Sequence, residues 1–218
     1  MKLRYTLILA AIAASFSASA QTDKVAILRT PKFAVGVEAG FFKECLNRDS
    51  ASNRLYMNYR QRTSYPTVGV FARHYIGNRF AVQAGIGTAF IKDNIYSGYL
   101  NGFDGIAALP FNGTASTRAY DANLSLQYYV HPAAAKVRAY FGAGINARYN
   151  KYNIDGYYIS NNAALNTSIT DVQLGLLLSQ GVTWQVHKNW QLNESINLVT
   201  NGNTTSGGIK IGLAYTIQ

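Results

Sequence analysis

The chain has 218 residues, with 20 Lys or Arg against 10 Asp or Glu and a formal net charge of +10. Charged residues make up 14% of it, against roughly 25% in an ordinary globular domain, so water cannot be the only solvent that meets its surface. A single cysteine, Cys45, excludes an intramolecular disulfide, and no run approaches the ~20 consecutive apolar residues of a membrane-crossing helix.

The first element in the chain is a processing segment over residues 1–20. Lys2 and Arg4 give a positive start, an apolar run follows from Thr6 to Phe16, and Ala18-Ser19-Ala20 is a small-residue cleavage site ahead of Gln21. The run is too short for a membrane span, and no cysteine follows the cleavage site to carry a lipid anchor. Export removes nucleic acid as the partner behind the basic excess. Phosphate-bearing lipid head groups suit the same charge.

Eight stretches then alternate with period two, at residues 32–42, 65–76, 79–92, 116–130, 136–149, 169–186, 190–199 and 208–217. Such alternation marks strands with two unlike faces. The third sets Phe80, Val82, Ala84, Ile86 and Phe90 against Gln83, Gly85 and Gly87. The fourth sets Tyr120, Ala122, Leu124, Leu126, Tyr128 and Val130 against Asp121, Asn123, Ser125 and Gln127. Short turns fall at Gly77-Asn78, 131–135 and 187–189, and long polar segments at 43–64, 93–115, 150–168 and, shorter, 200–206. Long and short connections in alternation are the rhythm of outer-membrane barrels, with tight periplasmic turns and longer outer loops. The expected fold is all-β: an eight-stranded antiparallel up-and-down transmembrane β-barrel filling residues 21–218, with both ends in the periplasm of a Gram-negative bacterium.

Alternation alone leaves two orientations, because a lipocalin-like cup also has eight strands but keeps its apolar face inside. The polar stripes here are built from Gly, Ala, Ser, Asn and Gln, which suits a lumen with room only for side chains. Aromatic residues also stand at both ends of the apolar stripes. Phe33, Phe80, Tyr128, Trp184, Trp190 and Tyr215 lie near the short turns, and Phe41, Phe90, Tyr120 and Tyr149 near the long connections. Phe80 to Phe90 and Tyr120 to Tyr128 span roughly 20–25 Å of membrane depth at ~3.3 Å per residue and ~40° tilt, matching an apolar band between two girdles.

That parity turns several charges inward. Asp121, Arg148 and Asp171 lie at stripe ends on adjacent strands and are expected to meet, with the arginine between two carboxylates. Glu38 and Lys210 face each other across the first and last strands. Burial without a partner is expensive, so pairing is expected; the pairs either plug the lumen or fill it. Arg73 and Arg138 also face inward, with no partner evident in the sequence. The loop at 43–64 carries Lys43, Arg48, Arg54, Arg60 and Arg62 against Glu44 and Asp49, with Tyr56 and Tyr59 between. It reads either as a surface for lipopolysaccharide phosphates or a protein partner, or as solvated loop charge.

Catalysis finds little footing. His74, His131 and His187 fall at the short-turn end, and no His-x-Ser, Gly-x-Ser-x-Gly or metal-ligand spacing occurs. The expectation is a barrel without cofactor or metal.

The last strand is the most specific piece. Lys210-Ile211-Gly212-Leu213-Ala214-Tyr215-Thr216-Ile217 looks like the signal read by the barrel-assembly machinery, with Lys210, Gly212, Tyr215 and Ile217 in the key places; Gln218 departs from the usual terminal aromatic. On this basis the chain resembles the outer-membrane β-barrel family that includes the OmpA transmembrane domain, OmpX and the PorT-like proteins. The resemblance implies a non-enzymatic, OmpX-like barrel serving envelope integrity or surface interaction, without the peptidoglycan-binding domain of full-length OmpA. A lipid-modifying enzyme, a small pore and a soluble binder are the alternatives.

Overall fold

The computed structural model describes residues 31–47, 55–61, 64–100, 109–201 and 204–217. Residues 1–20, read above as a processing segment, lie outside the described residues. Nine strands are described: β1 Phe33–Asn47, β2 Leu55–Gln61, β3 Tyr65–Ile76, β4 Phe80–Leu100, β5 Leu109–Tyr129, β6 Val137–Tyr158, β7 Ala164–His187, β8 Trp190–Asn201 and β9 Thr204–Ile217. They are dense in Val, Ile, Tyr, Phe and Thr, whose side chains suit a pleated surface. Gly77, at φ 61°, makes the tight turn from β3 to β4 in a conformation that a Cβ would oppose.

Neighbours run β4-β3-β1-β9-β8-β7-β6-β5, and β5 pairs back onto β4. Eight antiparallel strands therefore close on themselves. β2 is an addition to the expected eight: it lies in the 43–64 connection and pairs with the outer end of β4, from Leu55↔Leu100 to Gln61↔Asn94.

The register measures the barrel. Ser206 faces Val199, which faces Leu177, and the line continues through Gly144, Ser125, Gln83, Arg73 and Ala34 to Thr216. It returns to β9 ten residues from its start, at 216 after leaving 206. With ~3.3 Å between residues and ~4.8 Å between strands, this stagger tilts eight strands by about 40° and gives a backbone radius of about 8 Å. Side chains fill so narrow a tube. The line descends toward the Ile217 end, so residues at equal height on neighbouring strands are offset from register partners by roughly 1.2 residues.

Burial is inverted relative to a protein in water. Leu174 is 75% exposed and Ile86 62%, whereas Gln127 and Arg73 are each 1% exposed. Apolar side chains left outside at this density are stable only where the surroundings are themselves apolar. The apolar stripes therefore face lipid and the amide- and glycine-bearing stripes face the lumen. Two apolar clusters interrupt the lumen's polarity, one around Phe71, Tyr75, Tyr129 and Tyr140 and one around Phe42, Tyr65, Leu177 and Val199.

Segments 93–115 and 150–168, expected as loops, are largely strand. β4 continues to Leu100, β5 starts at Leu109, β6 runs to Tyr158 and β7 starts at Ala164. The register of β5 on β6 holds without a break from Tyr129↔Tyr140 to Phe111↔Tyr158. Beyond the outer girdle the lipid face of each strand turns to water. The polarity contrast between faces fades there, while β-formers such as Thr114, Thr117, Tyr152 and Ile154 keep the pairing. From Tyr120 to Phe111 the ledge rises ~20–25 Å above the girdle. Its inner side has a core of its own, with Phe111, Tyr152, Ile154 and Leu165 all buried.

Candidate functional site: the lumen and the outer rim

At the outer end of the lumen, β5 and β6 bring Asp121 and Arg148 directly opposite each other. Arg148 donates from Nε to Asp121 Oδ1 at 2.7 Å and from Nη2 to Oδ2 at 3.4 Å. This forked contact suits the planar guanidinium. Across the β1–β9 seam, Lys210 Nζ donates to Glu38 Oε1, and the ammonium lies 5.7 Å from the Phe42 ring centroid. Lys210 registers with Gly40 and Glu38 with Gly212, so the pair is diagonal and spans a position where glycine leaves room.

Asp171 does not join Arg148, which corrects the three-residue expectation. The partner of Arg148 on β7 is Gln173, and Asp171 stands opposite Asn150, one inward step farther out. Its Oδ2 accepts from Gln173 Nε2 at 2.7 Å. Stripe ends locate a residue only to within a step, and one step on the same face moves a carboxylate by ~6.6 Å, beyond ion-pair reach.

The periplasmic end is organised around the two arginines that the sequence left without partners. Arg73 donates from Nε and Nη2 to Gln83 Oε1, at 2.9 and 2.6 Å, and from Nη1 to Asn193 Oδ1 at 2.9 Å. Gln83 is on β4 and Asn193 on β8, on opposite sides of the ring, so Arg73 braces the tube across its width. Tyr75 donates to Gln191 Oε1 at 2.8 Å and Gln127 Nε2 to Gln83 Oε1 at 3.0 Å, adding rungs to the brace. Below it the Arg138 guanidinium lies 3.9 Å from the Tyr129 ring centroid, a cation–π contact. Arg138 Nη2 also donates to the Asn78 carbonyl at 3.2 Å. The inward parity of Tyr75, Tyr129 and Tyr140 was the signal that would have found this cage, since phenols inside a narrow polar tube must satisfy their hydroxyls.

The aromatic residues expected at the short-turn end lie on β1, β4, β5, β7, β8 and β9, and those expected at the outer end on β1, β4, β5 and β6. Phe80 and Tyr128 approach to 5.4 Å between ring centroids, Trp190 and Tyr215 to 5.3 Å, and Tyr120 and Tyr149 to 6.2 Å. Phe90 lies under the Arg118 guanidinium at 5.6 Å. Phe33 and Trp184 stand at the lower level and Phe41 at the upper, all on the lipid-facing parity. Of the basic loop, Lys43 is exposed on β1 and Arg60 contributes backbone to β2, while Arg48, Arg54 and Arg62 lie outside the described residues. On β9, Lys210 and Gly212 face the lumen and Tyr215 and Ile217 face lipid. His74 lies near the lower end of β3, and His131 and His187 stand at the short turns. Among the described residues no group of His, Cys, Asp or Glu is placed to hold a metal.

The family described as "Outer membrane protein beta-barrel domain" matches residues 6–216. No curated protein sequence matches the chain. Among solved structures, the outer membrane protein OprG of Pseudomonas aeruginosa is similar at 14% identity and a TM-score of 0.53, with 88% of this chain and 100% of that one covered. Neisserial surface protein A matches at 14% identity and a TM-score of 0.49, covering 85% and 97%. Ail, the attachment invasion locus protein of Yersinia pestis, matches at 12% and 0.47, covering 85% and 99%. At these identities the likeness is one of fold.

Proposed function

The chain belongs to the outer membrane β-barrel protein family, and from that membership we propose that it is a non-enzymatic surface-binding barrel whose protein partner adds a strand to the outer edge of β7. The outer membrane of a Gram-negative bacterium is its location, so this ledge faces the medium. One observation carries the reading. β7 pairs with β6 from Ala164 onward, but with β8 only from Gly175. Residues 164–174 therefore present one edge with no strand beside it among the described residues. Edge strands are ordinarily guarded by Lys, Pro or a bulge. This edge has none of these: its register on β6 is unbroken, its side chains include Asn166, Thr167, Ser168 and Thr170, and Asp171 is its one charge. Such an edge is a template for β-strand addition, in which backbone hydrogen bonds supply the affinity.

Lipopolysaccharide is the second partner we propose, at a different height. Arg118 and Lys151 are exposed register partners one outward step above the Tyr120–Tyr149 pair. Two cations set side by side at head-group level favour a bridging phosphate, since like charges directly opposite otherwise repel. The histidines sit at the other end of the barrel, which supports a role without lipid chemistry, and the Arg73 brace supports a lumen that does not conduct.

The test uses the full chain in lipid nanodiscs and a labelled peptide copying residues 150–158, the segment that pairs with the other side of this edge. Saturable binding is expected, with new exchange protection of those amides in 164–174 that point away from β6, abolished by Asn166→Lys/Thr170→Lys. Protection of these outward amides already in the free protein, or peptide binding untouched by the two lysines, would contradict the proposal.

A further inference from the structure

Glu194 is out of keeping with the stripe that carries it. On β8 the lipid-facing series is Trp190, Leu192, Glu194, Ile196 and Leu198, and Glu194 is exposed. Among the described residues it is the charged side chain that lies on the lipid-facing parity between the girdles. Four residues above Trp190, it stands ~10 Å into an apolar band about 25 Å tall. Its register partners are Val182 on β7 and Ile211 on β9. Among the described residues no hydrogen bond or ion pair holds its carboxylate.

A second polar group stands beside it. Gln180 is on the lipid-facing parity of β7, opposite Ile196, and its amide likewise has no hydrogen bond within the described residues. The strand tilt places equal heights roughly 1.2 residues below the register partner on β8, which brings Gln180 level with Glu194 rather than with Ile196. The two stand side by side, about 7–8 Å apart as diagonal neighbours. One is an acceptor and the other a donor, and hydrocarbon offers neither a partner.

We propose that β7 and β8 form a two-fold lateral interface with a second copy of this chain in the membrane, closed by reciprocal Gln180–Glu194 hydrogen bonds. Copies inserted in the same sense are related by an axis along the membrane normal. An axis between the two side chains sets each Gln180 amide against the Glu194 carboxylate of the other copy. A donor and acceptor at one height are self-complementary under that operation, as an isologous contact requires. Val182 and Ile196, the other diagonal of the same four positions, then fall near the axis and pack on their counterparts. A cation from an unrelated protein would satisfy Glu194 alone and leave the Gln180 amide unmet.

The experiment is cysteine cross-linking of the full chain in lipid vesicles, in a Cys45→Ser background. Ile196→Cys is expected to give a disulfide-linked dimer on mild oxidation, and Ile86→Cys, on the opposite wall, none. Gln180→Leu/Glu194→Leu should weaken self-association about tenfold, the scale of two intramembrane hydrogen bonds. Glu194→Gln keeps a donor and an acceptor at each site and should retain the dimer, while heat-modified gel migration reports folding of each variant. Equal cross-linking at positions 196 and 86, or a 196 dimer untouched by the double leucine variant, would overturn the proposal. So would a 196 cross-link formed only to some other envelope protein.

Discussion

The two ends of the lumen hold buried cations by different means. At the outer end Arg148 meets Asp121 and Lys210 meets Glu38, so positive charge is matched by a carboxylate. At the periplasmic end Arg73 is held by Gln83, Asn193 and Tyr75, and Arg138 lies on Tyr129, with no carboxylate among the described residues bonded to either. The first arrangement concentrates compensation in one partner. The second spreads it over amide dipoles and aromatic faces, and leaves that end of the tube net positive. Losing a single side chain should therefore be felt differently at the two ends.

The largest effect is expected for Arg148→Met, which strands the Asp121 carboxylate. Breaking a buried pair from one side costs about 3–5 kcal/mol, measurable by urea unfolding in lipid vesicles. Arg148→Met/Asp121→Leu should recover most of that loss, because no bare charge remains. A double variant as unstable as the single one would break the comparison.

Arg73→Met comes next. It leaves neutral amides rather than a charge, so a loss of about 1–3 kcal/mol is expected. Changing Asn193 to Leu as well should recover little, because Gln83 and Tyr75 share the load.

Lys210→Met should follow at about 1–2 kcal/mol, since it strands Glu38, 13% exposed, but removes one contact where Arg148 makes a fork. Lys151→Met, on the exposed outer rim, should fall within about 0.5 kcal/mol.

Much of the barrel was legible because lipid and lumen are opposite solvents. Alternation from Phe80 to Phe90 and from Tyr120 to Tyr128 reports two media, and the aromatic ends report where one medium stops. Nothing comparable marks Asp93–Leu100 or Asn150–Tyr158, which lie above the outer aromatic level and continue to pair through backbone hydrogen bonds and β-propensity. Those segments read as loops and are strands. Register lies deeper still. Asp171 and Gln173 share a face, and only the pairing of β6 with β7 decides which one Arg148 meets. Partners for Arg73 were hidden for the same reason: Gln83 is ten residues away in sequence but Asn193 is 120, and shear alone brings them to one level. Parity does place Glu194 and Gln180 toward lipid directly, and a polar residue breaking an apolar stripe is a signal that single-sequence reading can use.

Sidedness is tested most directly at two consecutive positions, Ile145 and Asn146 on β6. Each is replaced by a spin-labelled cysteine in a Cys45→Ser background, and oxygen dissolved in the bilayer competes with a water-soluble nickel chelate for the label. The structure predicts strong relaxation by oxygen at 145, where Ile145 is 61% exposed, and little at 146, where Asn146 is 4% exposed. A label at 146 relaxed by oxygen more strongly than one at 145 would turn the barrel inside out and contradict the account.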